Sequence, residues 1–521
     1  MISTRHAGNI RTASRTYIPA ALIGLALFIV SLFWFNACGS RTFLVFALLA
    51  TAAGVALAVL YCDGNLKQVN RSEHILAGVL LFFAVVYTFA FPPLTVPDEA
   101  HHFYSSYWLA DSLIGQAGEN GFKVRANDWK LFTERGDDYI DADSYKRIAA
   151  NFELFQSDES TVTVDYFEYD LGAENPPAKI ATVISILVGR FLHLGTYPLF
   201  YLGRLFNAIS YIALAIASYR MIPFGKNVIA VTSLLPMTLH LVSSFSYDVG
   251  IIGLGMLLTS LLLKAITEDG QICSTLQASI ILVSALLAPC KVVYSTLILL
   301  ALFIPSRRFS SSKHAVLFKL GTIIAPLLAV LTLRLAAIGG LAASGSTLDV
   351  RGSETGNFYD LAFVLHNPLA TISIFFRSLI TNGDFYWSTA LGRSLGWLQS
   401  DIAVPYFYVI PLLFGAVYAA QRDDSDPFKV PGKLRFTMLL VAALSFLGIM
   451  FSMFVGHTFD TEPVIQGVQG RYILPVIAPL LLSFRSKTVR IEGRSFPQII
   501  LVMSISNIVI LMHVVASAIM L

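Results

Sequence analysis

The chain alternates between long apolar runs and short polar breaks. Runs at 17–36, 42–61, 316–341 and 497–519 reach the ~20 helical residues needed to cross a hydrocarbon core. Only Lys319 and Arg334 interrupt the third of these. A segment in lipid must satisfy its own backbone hydrogen bonds, so each run is predicted to be helical. The length rule gives about 13 spans. They lie near 17–36, 42–61, 75–91, 198–219, 227–243, 249–266, 272–288, 291–305, 316–340, 404–420, 436–456, 471–484 and 497–519. The fold class this predicts is all-α, a polytopic transmembrane helical bundle.

Two further segments, 177–194 and 361–380, are less apolar and carry Lys179, Arg190 and Arg377. Counting either one alone as a span inverts every loop after it. They are read as interfacial or re-entrant helices. If both cross, the count rises to about 15.

Basic residues set the orientation. With the N-terminus in the cytoplasm, 19 of the 36 Lys and Arg residues fall in or beside short cytoplasmic loops and tails. They cluster around Arg5/Arg11/Arg15, Lys67/Arg71, Arg220/Lys226, Arg307/Arg308/Lys313/Lys319, Arg422/Lys429/Lys433/Arg435 and Arg485/Lys487/Arg490/Arg494. The chain then divides into five parts. Residues 1–91 form an N-terminal hairpin plus the third span, and 92–176 an acidic outer loop. A central bundle covers 177–341, a second outer segment 342–403, and the C-terminal spans 404–521. The first outer loop holds 17 acidic and 6 basic residues, about half of all 33 acidic residues in the chain. Loops of this length usually carry a function.

Composition agrees with a membrane protein. Hydrophobic residues make up 55% and charged residues 13%, against about 25% charged in a soluble domain. Mean hydropathy is +0.68. The net charge of +3 comes with no dense basic cluster, which argues against a nucleic-acid partner. Cys38, Cys62, Cys273 and Cys290 are far apart and suggest neither a zinc site nor a disulfide framework. The first run follows three arginines but is longer than a signal-peptide core and lacks a small-residue cleavage site. It is read as a retained signal anchor.

The sharpest chemical feature is Val96-Pro97-Asp98-Glu99-Ala100-His101-His102, directly after the third span. Asp98 and Glu99 then lie at the outer membrane surface, and the nearby prolines stiffen the approach. The aromatic stretch Phe103-Tyr104-Ser105-Ser106-Tyr107-Trp108 suits a helix lying at the interface. Either carboxylate also suits a helix N-cap. Isolated ionisable groups recur at predicted outer span ends: Asp248, Lys291 and Arg471, with Tyr294 one turn after Lys291. Such groups are functional candidates by default, against the alternative of snorkelling to headgroups.

These groups fit transfer of a sugar from a polyprenyl phosphate. The phosphate leaving group needs no general acid. A carboxylate, Asp98 or Glu99, takes the proton of the acceptor hydroxyl. Lys291 and Arg471 neutralise the departing phosphate, and His102, Asp248 and Tyr294 complete the substrate site. A divalent cation, Mg or Mn, would suit the same chemistry, but the sequence contains no dedicated metal cage.

Six motifs occur in order: Pro97-Asp98-Glu99 with His102, Arg204-Leu205-Phe206-Asn207, Ser246-Tyr247-Asp248, Lys291 with Tyr294, Leu395-Gly396-Trp397-Leu398, and Gln469-Gly470-Arg471-Tyr472-Ile473-Leu474-Pro475. From about residue 75 to 485 the chain resembles a family of bacterial membrane proteins designated only as a domain of unknown function. That family is similar in layout to the GT-C glycosyltransferases. The resemblance implies an acidic residue in the first outer loop as catalytic base, a polyprenyl-phosphate-linked sugar as donor, and a bundle of helices beneath; the expected acceptor is an envelope glycan or lipid, and the expected location is the bacterial inner membrane. One departure stands out. Where those enzymes often carry a His-Pro-Pro-like element, this chain reads Glu174-Asn175-Pro176-Pro177. Two other readings compete: a transporter or flippase of a lipid-linked saccharide, and a non-catalytic envelope assembly factor. The large outer loop and the lack of visible internal symmetry count against a transporter.

The charge pattern predicts that Ser157 lies outside and Ser311 inside. With single cysteines at these positions, an impermeant thiol reagent should label Ser157→Cys and spare Ser311→Cys in cells whose outer barrier, if any, is permeabilised. The reverse pattern would overturn the topology.

Overall fold

A computed structural model describes residues 22–33, 35–36, 39, 41–62, 72–118, 121–134, 139–164, 176–343 and 357–521. The basic N-terminal segment and the start of the first predicted span lie outside the described residues. So do parts of the acidic loop and residues 344–356 of the second outer segment.

The chain is mostly helical. In order it forms α1 (Leu22–Phe33), α2 (Arg41–Cys62), α3 (Ser72–Ala90) and α4 (Glu99–Leu113). Then come β1 (Ala117–Gly118), β2 (Gly121–Arg125), α5 (Ala126–Thr133), α6 (Ala142–Ala150) and β3 (Thr161–Val164). The central part holds α7 (Pro176–Phe191), α8 (Thr196–Met221), α9 (Lys226–Leu234), α10 (Pro236–Val242), α11 (Asp248–Thr267) and α12 (Ser274–Leu287). A 3₁₀ helix, Val292–Phe303, leads to α13 (Ser312–Ala343), α14 (Leu361–His366) and α15 (Pro368–Ala390). The last elements are α16 (Tyr406–Ala420), α17 (Gly432–Phe454), α18 (Leu474–Ser483) and α19 (Phe496–Met520).

Six described helices are long and apolar enough to cross a membrane: α3, α8, α11, the Ser312–Arg334 part of α13, α17 and α19. Several other predicted spans are shorter helices, and the sequence shows why. The span expected at 227–243 breaks between α9 and α10 at Pro236, which lacks a backbone N–H and forces Leu235 into an extended conformation (φ −60°, ψ 135°). The one expected at 291–305 is wound as a 3₁₀ helix. The one at 471–484 opens with a 3₁₀ turn, Gly470–Ile473, before α18. α11 is the central helix, with 78% of its apolar window buried, whereas α13 is peripheral at 22%. α11 packs against α8, α12 and α18. Its approach to α18 requires Gly255, where a Cβ would lie 2.7 Å from the Pro475 carbonyl oxygen.

The acidic loop folds as a small layer of its own and adds a three-stranded antiparallel sheet, in the order β1-β2-β3, to the helical bundle. Strands this short leave little alternating pattern to read. The aromatic face of α4 is not an interfacial surface, as the sequence suggested. Phe103, Tyr104 and Tyr107 are fully buried against Phe122, Val124, Leu131, Phe200 and Phe245. Beneath them, Asp128 accepts bonds from Arg125 Nε at 2.8 Å, Tyr107 Oη at 2.9 Å and Thr196 Oγ1 at 2.7 Å. Asp111 pairs with Arg190 of α7. Burial lifts the Asp111 carboxyl above its usual range, and the Arg190 hydrogen bond opposes that rise. The outer layer is thus bolted to α7 and α8.

The segment after α15 docks on the acidic loop through Gln399. Its side chain accepts from the Ile140 N–H at 2.8 Å and donates to the Ile140 carbonyl at 3.3 Å. The Leu395-Gly396-Trp397-Leu398 motif precedes this clasp, with Leu395 fully buried. At the far end of the bundle, Arg220 pairs with Glu73 at 2.8 Å, Arg485 with Asp426 at 2.7 Å, and Asn227 donates to Ser495 Oγ at 2.7 Å. Residues the charge pattern assigned to one side therefore meet at one end of the helices.

Candidate functional site

The turn after α3 is drawn tight around one buried ion pair. Glu99, the first residue of α4, accepts from Arg204 Nε at 2.9 Å and Arg204 Nη2 at 2.7 Å. It also accepts from the backbone N–H of Leu94 at 3.0 Å and of Phe245 at 3.1 Å. Both side chains are 0% exposed. Arg204 spends its remaining donors on the carbonyls of Thr88, Phe91 and Pro92. One turn further along α8, Asn207 Nδ2 donates to the carbonyls of Ser244 at 2.8 Å and Ser246 at 3.1 Å. The Arg204-Leu205-Phe206-Asn207 motif therefore fixes both the Asp98-Glu99 turn and the loop that delivers Asp248.

Asp98 points the other way. It occupies the N-cap position of α4 in the left-handed region (φ 61°, ψ 13°), and its side chain makes no capping bond. Aspartate tolerates this conformation better than most residues. Its carboxylate, 44% exposed, accepts from Arg471 Nη2 at 2.7 Å. Arg471 is buried, and its Nε lies 3.5 Å from Asp248. Asp248, at the start of α11, in turn accepts from Lys291 Nζ at 3.2 Å. Four charged groups of alternating sign, Asp98, Arg471, Asp248 and Lys291, thus form a continuous line whose two middle members are buried.

Aromatic rings wall this line. Lys291 Nζ lies 4.0 Å from the Tyr472 ring centre and 5.2 Å from that of Tyr247. Cations over such faces are stabilised when desolvated. Tyr294 is buried, and its hydroxyl donates to the Tyr472 carbonyl at 2.7 Å, so it shapes the backbone beside Arg471 rather than presenting its own oxygen. His102 is also buried, with its ring edge-on to Tyr247 at 4.6 Å. Gly470 lets the chain approach α15, because a Cβ there would lie 2.2 Å from the Tyr386 carbonyl oxygen.

Of the sequence-derived candidates, Asp98, Asp248, Lys291 and Arg471 meet directly, and His102 and Tyr294 support them through Tyr247 and Tyr472. Glu99 is separated from them by its own set of donors. Two residues were missed as site candidates. Arg204 carries the constraint, and the fully buried Lys179 of α7 donates to Ser105 Oγ and lies 5.7 Å from the Tyr247 ring centre. A lone lysine inside an apolar run is the signal that would have found Lys179. Among the described residues, no group of three or more His, Cys, Asp or Glu side chains gathers as a metal cluster.

Two donors of Arg471 are left over. Arg471 Nη1 is buried and finds no hydrogen-bond partner among the described residues. Arg471 Nε, 3.5 Å from Asp248, also makes no hydrogen bond among the described residues. A buried guanidinium with an unused N–H beside an exposed carboxylate is a ready-made anion contact.

The chain belongs to the family of predicted membrane proteins DUF2142, whose family model matches residues 81–481. That stretch includes every site residue described above. No curated protein and no solved structure matches the chain.

The two neighbouring acids should respond differently to substitution. Glu99→Gln leaves Arg204 buried without its charge partner and should destabilise the protein by about 3–5 kcal/mol. Asp98→Asn should cost much less, read as the thermal unfolding midpoint in detergent, because Asp98 is half exposed, the amide oxygen can still accept from Arg471, and Arg471 keeps Asp248 beside it. Equal shifts for both variants would contradict the division of roles.

Proposed function

We propose that this chain is a membrane glycosyltransferase that moves a sugar from a polyprenyl-phosphate carrier to an envelope glycan or lipid acceptor at the outer face of the bacterial inner membrane. The observation that carries the reading is the pairing of the exposed Asp98 carboxylate with Arg471, a buried cation that still has an unused donor.

The chemistry follows from that pairing. The donor phosphate competes with Asp98 for Arg471, and Lys291 adds a second positive charge. A guanidinium can bond two phosphate oxygens at once, while the lysine acts as a point charge. Once Arg471 turns to the phosphate, the Asp98 carboxylate is free to accept a proton. The acceptor hydroxyl oxygen attacks the anomeric carbon as the carbon–oxygen bond to the phosphate breaks. The bonding pair leaves with the phosphate oxygen, and the hydroxyl proton passes to Asp98, then to water. Arg471 and Lys291 stabilise charge where it develops on the leaving group. Asp248 holds both cations in place, and Glu99 with Arg204 holds the turn.

The transporter reading has less support. α11, the central helix, carries no ionisable residue between Asp248 and Lys264. The described charges gather at the two ends of the bundle rather than along a path between them. A saccharide moving through the protein would need polar groups along its route.

The test is transfer by purified protein in lipid with a polyprenyl-phosphate-linked sugar. Asp98→Asn should lower the rate by about 100-fold or more, the usual scale for loss of a general base. Arg471→Lys should also reduce donor use although charge is kept. Wild-type rates in both variants would remove the pair from the chemistry.

A further inference from the structure

The 3₁₀ helix Val292–Phe303 is unusual in itself, because such runs rarely exceed one turn. Its geometry has two consequences. Twelve residues at ~2.0 Å rise span about 24 Å, most of a hydrocarbon core of about 30 Å. Side chains three apart eclipse one another, so Val292, Ser295 and Ile298 stack in a straight row.

That row forms one wall of an apolar groove of about 300 Å³. The other wall is the α13 face carrying Ile323, Pro326 and Leu327. Val292 and Leu327 are both more than half exposed.

One end of the groove adjoins a candidate-site residue in the chain. Lys291 immediately precedes Val292, and Arg334 of α13 closes the same end by donating to the carbonyls of Pro289 at 2.8 Å and Cys290 at 3.3 Å. Lys291 and Arg334 therefore adjoin one end of the apolar trough, with Lys291 Nζ turned to Asp248 at 3.2 Å. A larger apolar groove of about 670 Å³ lies between α2, α3 and α19. None of the four charged site residues lines either groove, but the larger one also borders none of them in the chain, and its rim cation is Lys146, paired with Asp143 at 2.8 Å.

We infer that the groove between the 3₁₀ helix and α13 holds the isoprenoid chain of the lipid carrier, with its phosphate at Lys291, Arg334 and Arg471. The inference rests on the preceding functional reading for the identity of the carrier. The straight row of eclipsed side chains suits an extended hydrocarbon, and the cations adjoining one end suit a phosphate rather than a neutral headgroup. Chain length should then contribute to affinity through apolar surface buried in the groove.

The test uses undecaprenyl phosphate binding to purified protein in nanodiscs, read by native mass spectrometry and independent of any transfer activity. The double variant Val292→Trp, Leu327→Trp fills the groove at lipid-exposed positions where folding should survive. It should weaken undecaprenyl phosphate binding by about tenfold while leaving the short-chain geranyl phosphate unaffected. Leu49→Trp, in the larger groove, should change neither. Equal affinity of the double variant and wild type overturns the groove assignment and leaves the functional reading standing. So does a loss confined to Leu49→Trp, or equally strong competition by phosphatidylglycerol. Absence of undecaprenyl phosphate binding by wild type overturns both.

Discussion

The buried pair between Glu99 and Arg204 is the constraint on which the site depends. Neither charge reaches water, so each must be satisfied inside the protein. Glu99 takes two bonds from the guanidinium and two from backbone N–H groups, and Arg204 takes three carbonyls at the end of α3. This one pair ties together α3, α4, α8 and the loop before α11. Removing either partner would strand the other, a cost of about 3–5 kcal/mol. The pair fixes where the turn goes, and so where Asp98 is presented.

From that fixed turn, a line of charges follows by alternation. Asp98 faces out while its neighbour faces in, because the left-handed backbone at Asp98 sends the two successive side chains apart. Arg471, Asp248 and Lys291 then continue the line in alternating sign, each cation held by an acid. In the proposed function a phosphate replaces Asp98 on Arg471, so that Arg471 stays paired while the half-exposed Asp98 carboxylate is released. The carboxylate displaced in that exchange is the one exposed enough to meet an acceptor.

Much of this was legible in the sequence, and the limits have physical causes. Long apolar runs identified α3, α8, α11, α13, α17 and α19, since periodicity is irrelevant where lipid surrounds the helix. Isolated charges at span ends pointed to Asp248, Lys291 and Arg471, because such charges are costly in lipid. The sequence could not separate Asp98 from Glu99, since adjacent acids differ only in the backbone angle between them. It misassigned the aromatic face of α4 because burial in a small domain and burial in headgroups favour the same residues. Broken spans such as α9–α10 were merged because hydropathy averages over a single proline. The three short strands left no periodic signal at all.

The most direct test of the account is the chemistry of the envelope itself. Envelope glycans from a deletion strain, complemented either with the wild-type chain or with Asp98→Asn, can be compared by mass spectrometry. The account predicts a glycan lacking a sugar substituent in the deletion strain, restored by wild type and not by an Asp98→Asn chain present at equal level. Glycans identical in all three strains, or full restoration by Asp98→Asn, would contradict it.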